Sequence, residues 1–277
     1  MDTYTPTVTD VLHFLTEQYH LGIGYSAIST VRSALSTFIF LEGFPAGSHP
    51  LVRRFLKGVF NLRPALPKYE TTWDTSLVLK YLKKLSPVKR LDFKMLTFKL
   101  IMLFALLTGQ RSQTLHLLSL DDMILTKNSV KFKLSGLLKH SRPGKHLDLL
   151  VIRAFAPDRR LCPITVLLEY LRRTQTLRAT NRKLFIGIIR PHGPVTSSTI
   201  ARWIKLVIIY SGIDPKTFSA HSTRGASSSK AALANVPLNT IMKTAGWSRK
   251  DTFAVYYNKP ITEQGQFGLA ILNDANT

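Results

Sequence analysis

A mainly helical chain of two domains is predicted by three features of the sequence. Apolar residues recur at helical spacing over most of its length, a proline-containing stretch at 63–72 breaks that pattern, and one short segment alternates apolar with basic residues. In the N-terminal part, Thr9 or Asp10 can cap a helix carrying Val11, Leu12, Phe14, Leu15 and Tyr19. Ser26 can cap a second carrying Ile28, Val31, Leu35, Phe38 and Ile39, closed by Gly43. A third starts at Pro50, well suited to a first turn, and continues through Leu51, Phe55, Leu56, Val59 and Phe60. These predict a helical domain over 1–62. The stretch RPALPKYETT at 63–72 has no periodicity and reads as a linker.

The remaining residues, 73–277, read as a larger domain. Asp74 can cap a helix with Leu77, Val78, Tyr81, Leu82 and Leu85, and another runs from Leu91 to Leu107 before Thr108-Gly109 breaks it. Further helices are expected over 164–175, 198–210, 217–234, 238–245 and 250–258. Within this helical domain Val130, Phe132 and Leu134 alternate with Lys131 and Lys133, and LDLLVI returns after the turn residues SRPG. A small antiparallel sheet is the expectation there.

With 277 residues, 45% hydrophobic and 19% charged, the chain has the composition of a folded protein. Its charge is unusual: 38 Lys and Arg against 16 Asp and Glu leave +22, spread along the sequence. A polyanion, most simply nucleic acid, is the implied partner. No apolar run approaches the roughly 18 residues of a membrane span, and the polar start of the sequence does not read as a secretory signal or transit peptide. A soluble intracellular protein without membrane contact is expected. The one cysteine, Cys162, can form neither an internal disulfide nor a thiolate cluster, and no His pair has zinc-ligand spacing. Neither metal nor cofactor is expected.

Four segments carry chemistry: TGQR at 108–111, LLKHSRPGKH at 137–146, HSTR at 221–224, and AGWSRKDTFAVYYNKP at 245–260. In this order they resemble the motifs of the tyrosine recombinases, the phage-integrase-like family, over nearly the whole chain. The wording HSTRGASSSKA, the Trp in AGW, the ending YYNKP and the run HPLVRRFLKGVFNLRP are most similar to recombinases of eukaryotic DIRS-like retrotransposons. The resemblance implies a two-domain clamp around double-stranded DNA, a tetramer on that DNA, and a nuclear location. It also implies metal-independent cleavage in which a tyrosine forms a 3′-phosphotyrosyl bond and frees a 5′-hydroxyl, for recombination or integration of a mobile element.

On that resemblance Arg111 and Arg224 match the two arginines that grip the attacked phosphate, whose developing charge guanidinium groups stabilise. His221 lies three residues before Arg224, which would put both on one helical face, and a histidine can donate to phosphate or move a proton. Lys139, before the hairpin turn, matches the lysine that protonates the leaving 5′-oxygen, with Lys145 across the turn as the alternate. Trp247 stands where relatives carry His or Trp, either as an N–H donor or as a core side chain. Two adjacent tyrosines compete as nucleophile: nine-residue spacing from Trp247 selects Tyr256, whereas the DIRS-like ending selects Tyr257, which is favoured. On a helix the two point about 100° apart, so one of them faces the phosphate.

The sequence departs from many bacterial relatives at two places. Thr114 stands where an acidic residue often follows the first arginine, leaving Gln113 as a candidate to orient Arg111, and Gly225 replaces a frequent His. Two rival readings remain: a type IB topoisomerase that relaxes DNA by the same chemistry, and a domesticated DNA-binding protein without catalysis. The apolar residues of 266–272 could dock on a neighbouring protomer or pack within their own.

Overall fold

The computed structural model describes residues 5–66, 70–138, 141, 149–247, 250, 253–254 and 257–261. The chain divides into two compact units, residues 1–68 and 69–277. The fold is mainly helical with small antiparallel sheets.

In the first unit, α1 (Val8–His20) opens at Thr7, two residues before the expected cap. Thr7 and Asp10 form a reciprocal capping box, each side chain satisfying the other's backbone N–H. Helix α2 (Tyr25–Leu35) ends well short of Gly43. Beyond it the burial alternates: Ile39 and Leu41 are buried while Phe38 and Phe40 are exposed. The chain then reverses at Glu42-Gly43, both at positive φ (49° and 82°), so that β1 (Phe40–Leu41) pairs with β2 (Phe44–Pro45). Residues 38–41 are all apolar, and so short a continuous apolar run does not separate helix from strand, which is why the helical reading failed there. Helix α3 (Pro50–Leu62) begins as expected, with Pro50 in its first turn and His49 accepting the Leu51 N–H.

The second unit is organised around α5 (Phe93–Thr108), in which every residue from 96 to 105 is buried. Against it pack α7 (Pro163–Thr174), α8 (Ser197–Tyr210), α9 (Ser222–Leu233), the short α6 (Ser112–Leu117) and the sheet. Helix α4 (Thr75–Lys84) is capped by Asp74 as expected. Thr72, assigned above to the linker, is buried in this unit, where its N–H donates to the Pro260 carbonyl at 2.9 Å. The sheet comprises β3 (Met123–Leu125), β4 (Ser129–Phe132) and β5 (Leu150–Arg153), antiparallel in that order. Val130 and Phe132 pair with Ile152 and Leu150, all four buried, so the alternation in the sequence is the alternation between core and solvent.

Helix α9 starts at Ser222 and not at Thr217, because the Asp214 carboxylate closes a separate turn by accepting the N–H groups of Lys216 and Thr217. Helix α10 (Leu238–Ala245) follows as expected. Of the helix expected over 250–258, residues 250, 253 and 254 are described and helical, while Tyr257 is in a turn.

Within the core, Lys99 is completely buried. Its Nζ donates to the carbonyls of Leu82 (2.9 Å) and Leu85 (2.5 Å) and to Ser86 Oγ (3.2 Å), so it serves as a cationic cap on the C-terminal end of α4. Burial pulls its pKa from 10.5 down to about 8. Lys99→Met leaves those carbonyls without their donor and is expected to cost about 1–3 kcal/mol by urea unfolding. Between pH 8 and 10.5 the unfolded chain holds more of this proton than the folded chain, so this group makes stability rise with pH across that window. Urea titrations across it should show the rise in the wild type and its loss in Lys99→Met.

Candidate active site

The site begins where α5 stops. Gly109 takes the left-handed conformation (φ 58°, ψ 18°) and closes the helix by donating to the Ala105 carbonyl at 3.0 Å. A Cβ at this position would also lie 3.3 Å from Ala245 Cβ, so glycine serves both the turn and the close approach of α10. Gln110 is buried, and its Nε2 donates to the Thr244 carbonyl at 2.6 Å, tying this break to α10. Arg111 follows in extended conformation at the N-cap position of α6, half-buried.

From the other side α9 contributes Arg224, 1% exposed. One guanidinium nitrogen, Nη2, donates to the Ala245 carbonyl at 3.1 Å, while Nε and Nη1 are buried without a hydrogen-bond partner among the described residues. Burial, then the neighbouring Arg111 charge, pulls its pKa down from 12.5 to about 10, opposed by Tyr257. The guanidinium carbon lies 4.9 Å from the centre of the Trp247 ring and 5.5 Å from that of Tyr257. His221 sits at the N-cap position of α9, exposed and in helical conformation, and it lines the same small cavity as Arg224 three residues on. Its Nε2 is 2.9 Å from the Tyr257 hydroxyl.

Trp247 is buried, following Gly246 in the left-handed conformation that ends α10. Its ring packs on Tyr257 (4.6 Å between centroids) and Phe253 (5.2 Å), and its Nε1 has no partner among the described residues. Tyr257 is thus held between the Trp247 ring, the Arg224 cation and the His221 imidazole. Arg111, His221, Thr223 and Arg224 line one small cavity of about 90 Å³. The Thr223 hydroxyl is buried without a partner among the described residues. An array of buried, unused donors around a cavity, carrying two positive charges, suits an anionic oxygen group.

A family model, the phage integrase family, matches residues 82–263. The chain belongs to this family. It is a tyrosine recombinase, an enzyme that breaks and rejoins DNA strands. No curated relative matches the sequence. Among solved structures it resembles the XerH site-specific recombinase bound to a palindromic difH substrate, with 16% identity, a TM-score of 0.61, and coverage of 98% of this chain and 72% of that one. The Tn1549 transposon integrase bound to transposon right end DNA gives 13%, 0.61, 100% and 87%. A lambda integrase tetramer bound to a Holliday junction gives 16%, 0.51, 91% and 65%. At these identities the likeness is one of fold.

In this recombinase the structure brings together Arg111, His221, Arg224, Trp247 and Tyr257 from three of the four segments. Lys139, Lys145, Tyr256 and the segment 266–272 lie outside the described residues. Gln113 is exposed on α6, and among the described residues no hydrogen bond joins it to Arg111. The residue that braces this corner is instead Gln110, within the same TGQR motif. Two others were missed. Ser229 bonds the backbone around Tyr257, and Trp73 donates from its indole to Ser222 Oγ at 2.8 Å, at the start of α9. Neither has a local signature, since each acts on a partner far away in sequence. Gln110→Ala leaves a carbonyl of α10 without its donor and is expected to cost about 1–3 kcal/mol in urea unfolding.

Proposed function

We propose that this recombinase cuts and rejoins double-stranded DNA with Tyr257 as the nucleophile, in the service of a DIRS-like retrotransposon. The observation that carries the assignment is the contact of the Tyr257 hydroxyl with His221 Nε2 beside a buried, incompletely bonded Arg224. A guanidinium removed from water with two of its nitrogens unused costs several kcal/mol unless an anion completes it. A DNA phosphate supplies that anion. Arg111 and Arg224 hold its non-bridging oxygens, and their grip tightens as charge builds on the phosphorus.

The Tyr257 oxygen attacks phosphorus while its proton passes to His221 Nε2, with the imidazole in the tautomer that leaves Nε2 free to accept it. The bond from phosphorus to the 5′-oxygen breaks, and the leaving oxygen takes a proton from Lys139, with Lys145 as the alternate donor. The products are a 3′-phosphotyrosine and a 5′-hydroxyl. Because one phosphate ester replaces another, the covalent link conserves the bond energy for rejoining. Trp247 supports the nucleophile by packing on its ring, and its free indole N–H is available to a phosphate oxygen.

The finer assignments rest on the sequence. HSTRGASSSKA, the Trp of AGW and YYNKP support a DIRS-like element, from which a nuclear location follows. The +22 charge supports phosphate contacts as the main source of affinity. The lambda integrase tetramer on a junction is the precedent for a tetramer on DNA.

The decisive experiment incubates each variant with nicked DNA and looks for a covalent protein–DNA band on a denaturing gel. Tyr257→Phe removes one hydroxyl and is expected to abolish the band, while Tyr256→Phe retains it. A band undiminished in Tyr257→Phe overturns the nucleophile; one undiminished in the double variant overturns the mechanism. Affinity for DNA is expected to fall steeply as salt rises from about 50 to about 200 mM, whereas a flat titration would contradict phosphate-dominated binding.

A further inference from the structure

Ser229 is a buried residue of α9 that the chemistry above does not use, yet it touches the segment that carries the nucleophile. It is 1% exposed. Its hydroxyl donates to the Tyr257 carbonyl at 2.8 Å and accepts the Lys259 N–H at 3.0 Å, using both its donor and an acceptor site on the same short stretch of backbone. The neighbouring serine behaves differently. Ser228 Oγ turns back on its own helix, bonding the carbonyls of Arg224 (2.6 Å) and Gly225 (3.2 Å).

We propose that Ser229 is a positioning residue that holds the Tyr257 hydroxyl at His221 by pinning the backbone on either side of Asn258 to α9. Arg224 lies on the same helix, and His221 caps it, so the clip ties the nucleophile to the element that presents the phosphate-binding and proton-accepting groups. Two further sets of bonds hold this segment: the N–H groups of Tyr257 and Asn258 both donate to the Phe253 carbonyl at 2.9 Å, which closes the turn on itself, and the Thr72 N–H donates to the Pro260 carbonyl, which restrains the chain after Lys259. Neither joins the turn to α9. Without Ser229 the turn keeps its bonds to Phe253 but loses its tie to α9, so it can shift as a whole relative to Arg224 and His221, and a shift of about 1 Å at a reacting atom is enough to cost about 100-fold in rate. The inference rests on the reading of Tyr257 as nucleophile.

The test measures single-turnover adduct formation on nicked DNA, DNA affinity and thermal midpoint for the wild type, Ser229→Ala, Ser229→Thr and Ser228→Ala. Ser229→Ala is expected to slow adduct formation about 10- to 100-fold with DNA affinity nearly unchanged. Ser229→Thr, which retains the hydroxyl, is expected to recover much of the rate, and Ser228→Ala to stay close to wild type. Rate and affinity falling together, equal losses in Ser228→Ala, or a wild-type rate in Ser229→Ala would each overturn the proposal. Hydrogen exchange in the unmodified protein is a check independent of any substitution: the Lys259 amide should be protected, and exchange at the rate of a free peptide would sink the clip. Mapping the wild-type adduct separates the two readings. An adduct on Tyr256 removes the nucleophile assignment and the clip with it, whereas an adduct on Tyr257 with an unaffected Ser229→Ala removes the clip alone.

Discussion

A guanidinium kept in the interior with two of its nitrogens unbonded among the described residues is the constraint around which the catalytic unit is arranged. Arg224 is nearly inaccessible, and among the described residues no carboxylate forms an ion pair with it. What holds it is a carbonyl at the end of α10, the faces of Trp247 and Tyr257, and the framework of α9. Two other interior arginines of the same unit are bonded more fully: Arg173 bonds Glu169 and the carbonyls of Val88, Lys89 and Leu91 through all three nitrogens, and Arg178 bonds Thr174 Oγ1 and the carbonyls of Lys183 and Leu184 through two. The contrast shows that the fold can satisfy an interior arginine and does not do so at Arg224. Unused donors with a depressed pKa are poised for an anion, since binding one restores what burial took away.

Helix α9 makes this possible through its composition. Ser222, Thr223, Arg224, Gly225, Ala226, Ser228 and Ser229 are all buried, although the helix is not hydrophobic. Small side chains let neighbouring elements come close, and the serine hydroxyls, unlike that of Thr223, find partners in carbonyls: Ser222 on Ser219, Ser228 on Arg224, Ser229 on Tyr257. Such hydroxyls fill an interior at low cost when each one is bonded. At Gly225 a Cβ would meet only the Thr72 hydroxyl, at an ordinary contact distance of 3.9 Å, so the backbone there does not itself demand glycine.

Much of the fold was legible in the sequence because helix ends and strand faces are set by local chemistry. Asp74 caps α4, Pro50 opens α3, Gly109 closes α5 and the Val130–Phe132 alternation marks one wall of the core. The sequence also determined the charge and the residue types at the site. It misplaced the end of α2 and the start of α9, where a short apolar run does not separate helix from strand or where an Asx turn competes with the helix. Tertiary structure alone decided which distant groups meet. Trp73 reaches Ser222, Gln110 reaches Thr244, and Ser229 and His221 reach Tyr257, in each case across tens of residues or more. Periodicity reports how a segment bonds to itself and which side it buries, whereas the pairing of remote polar atoms follows from how whole helices pack, which no local pattern encodes.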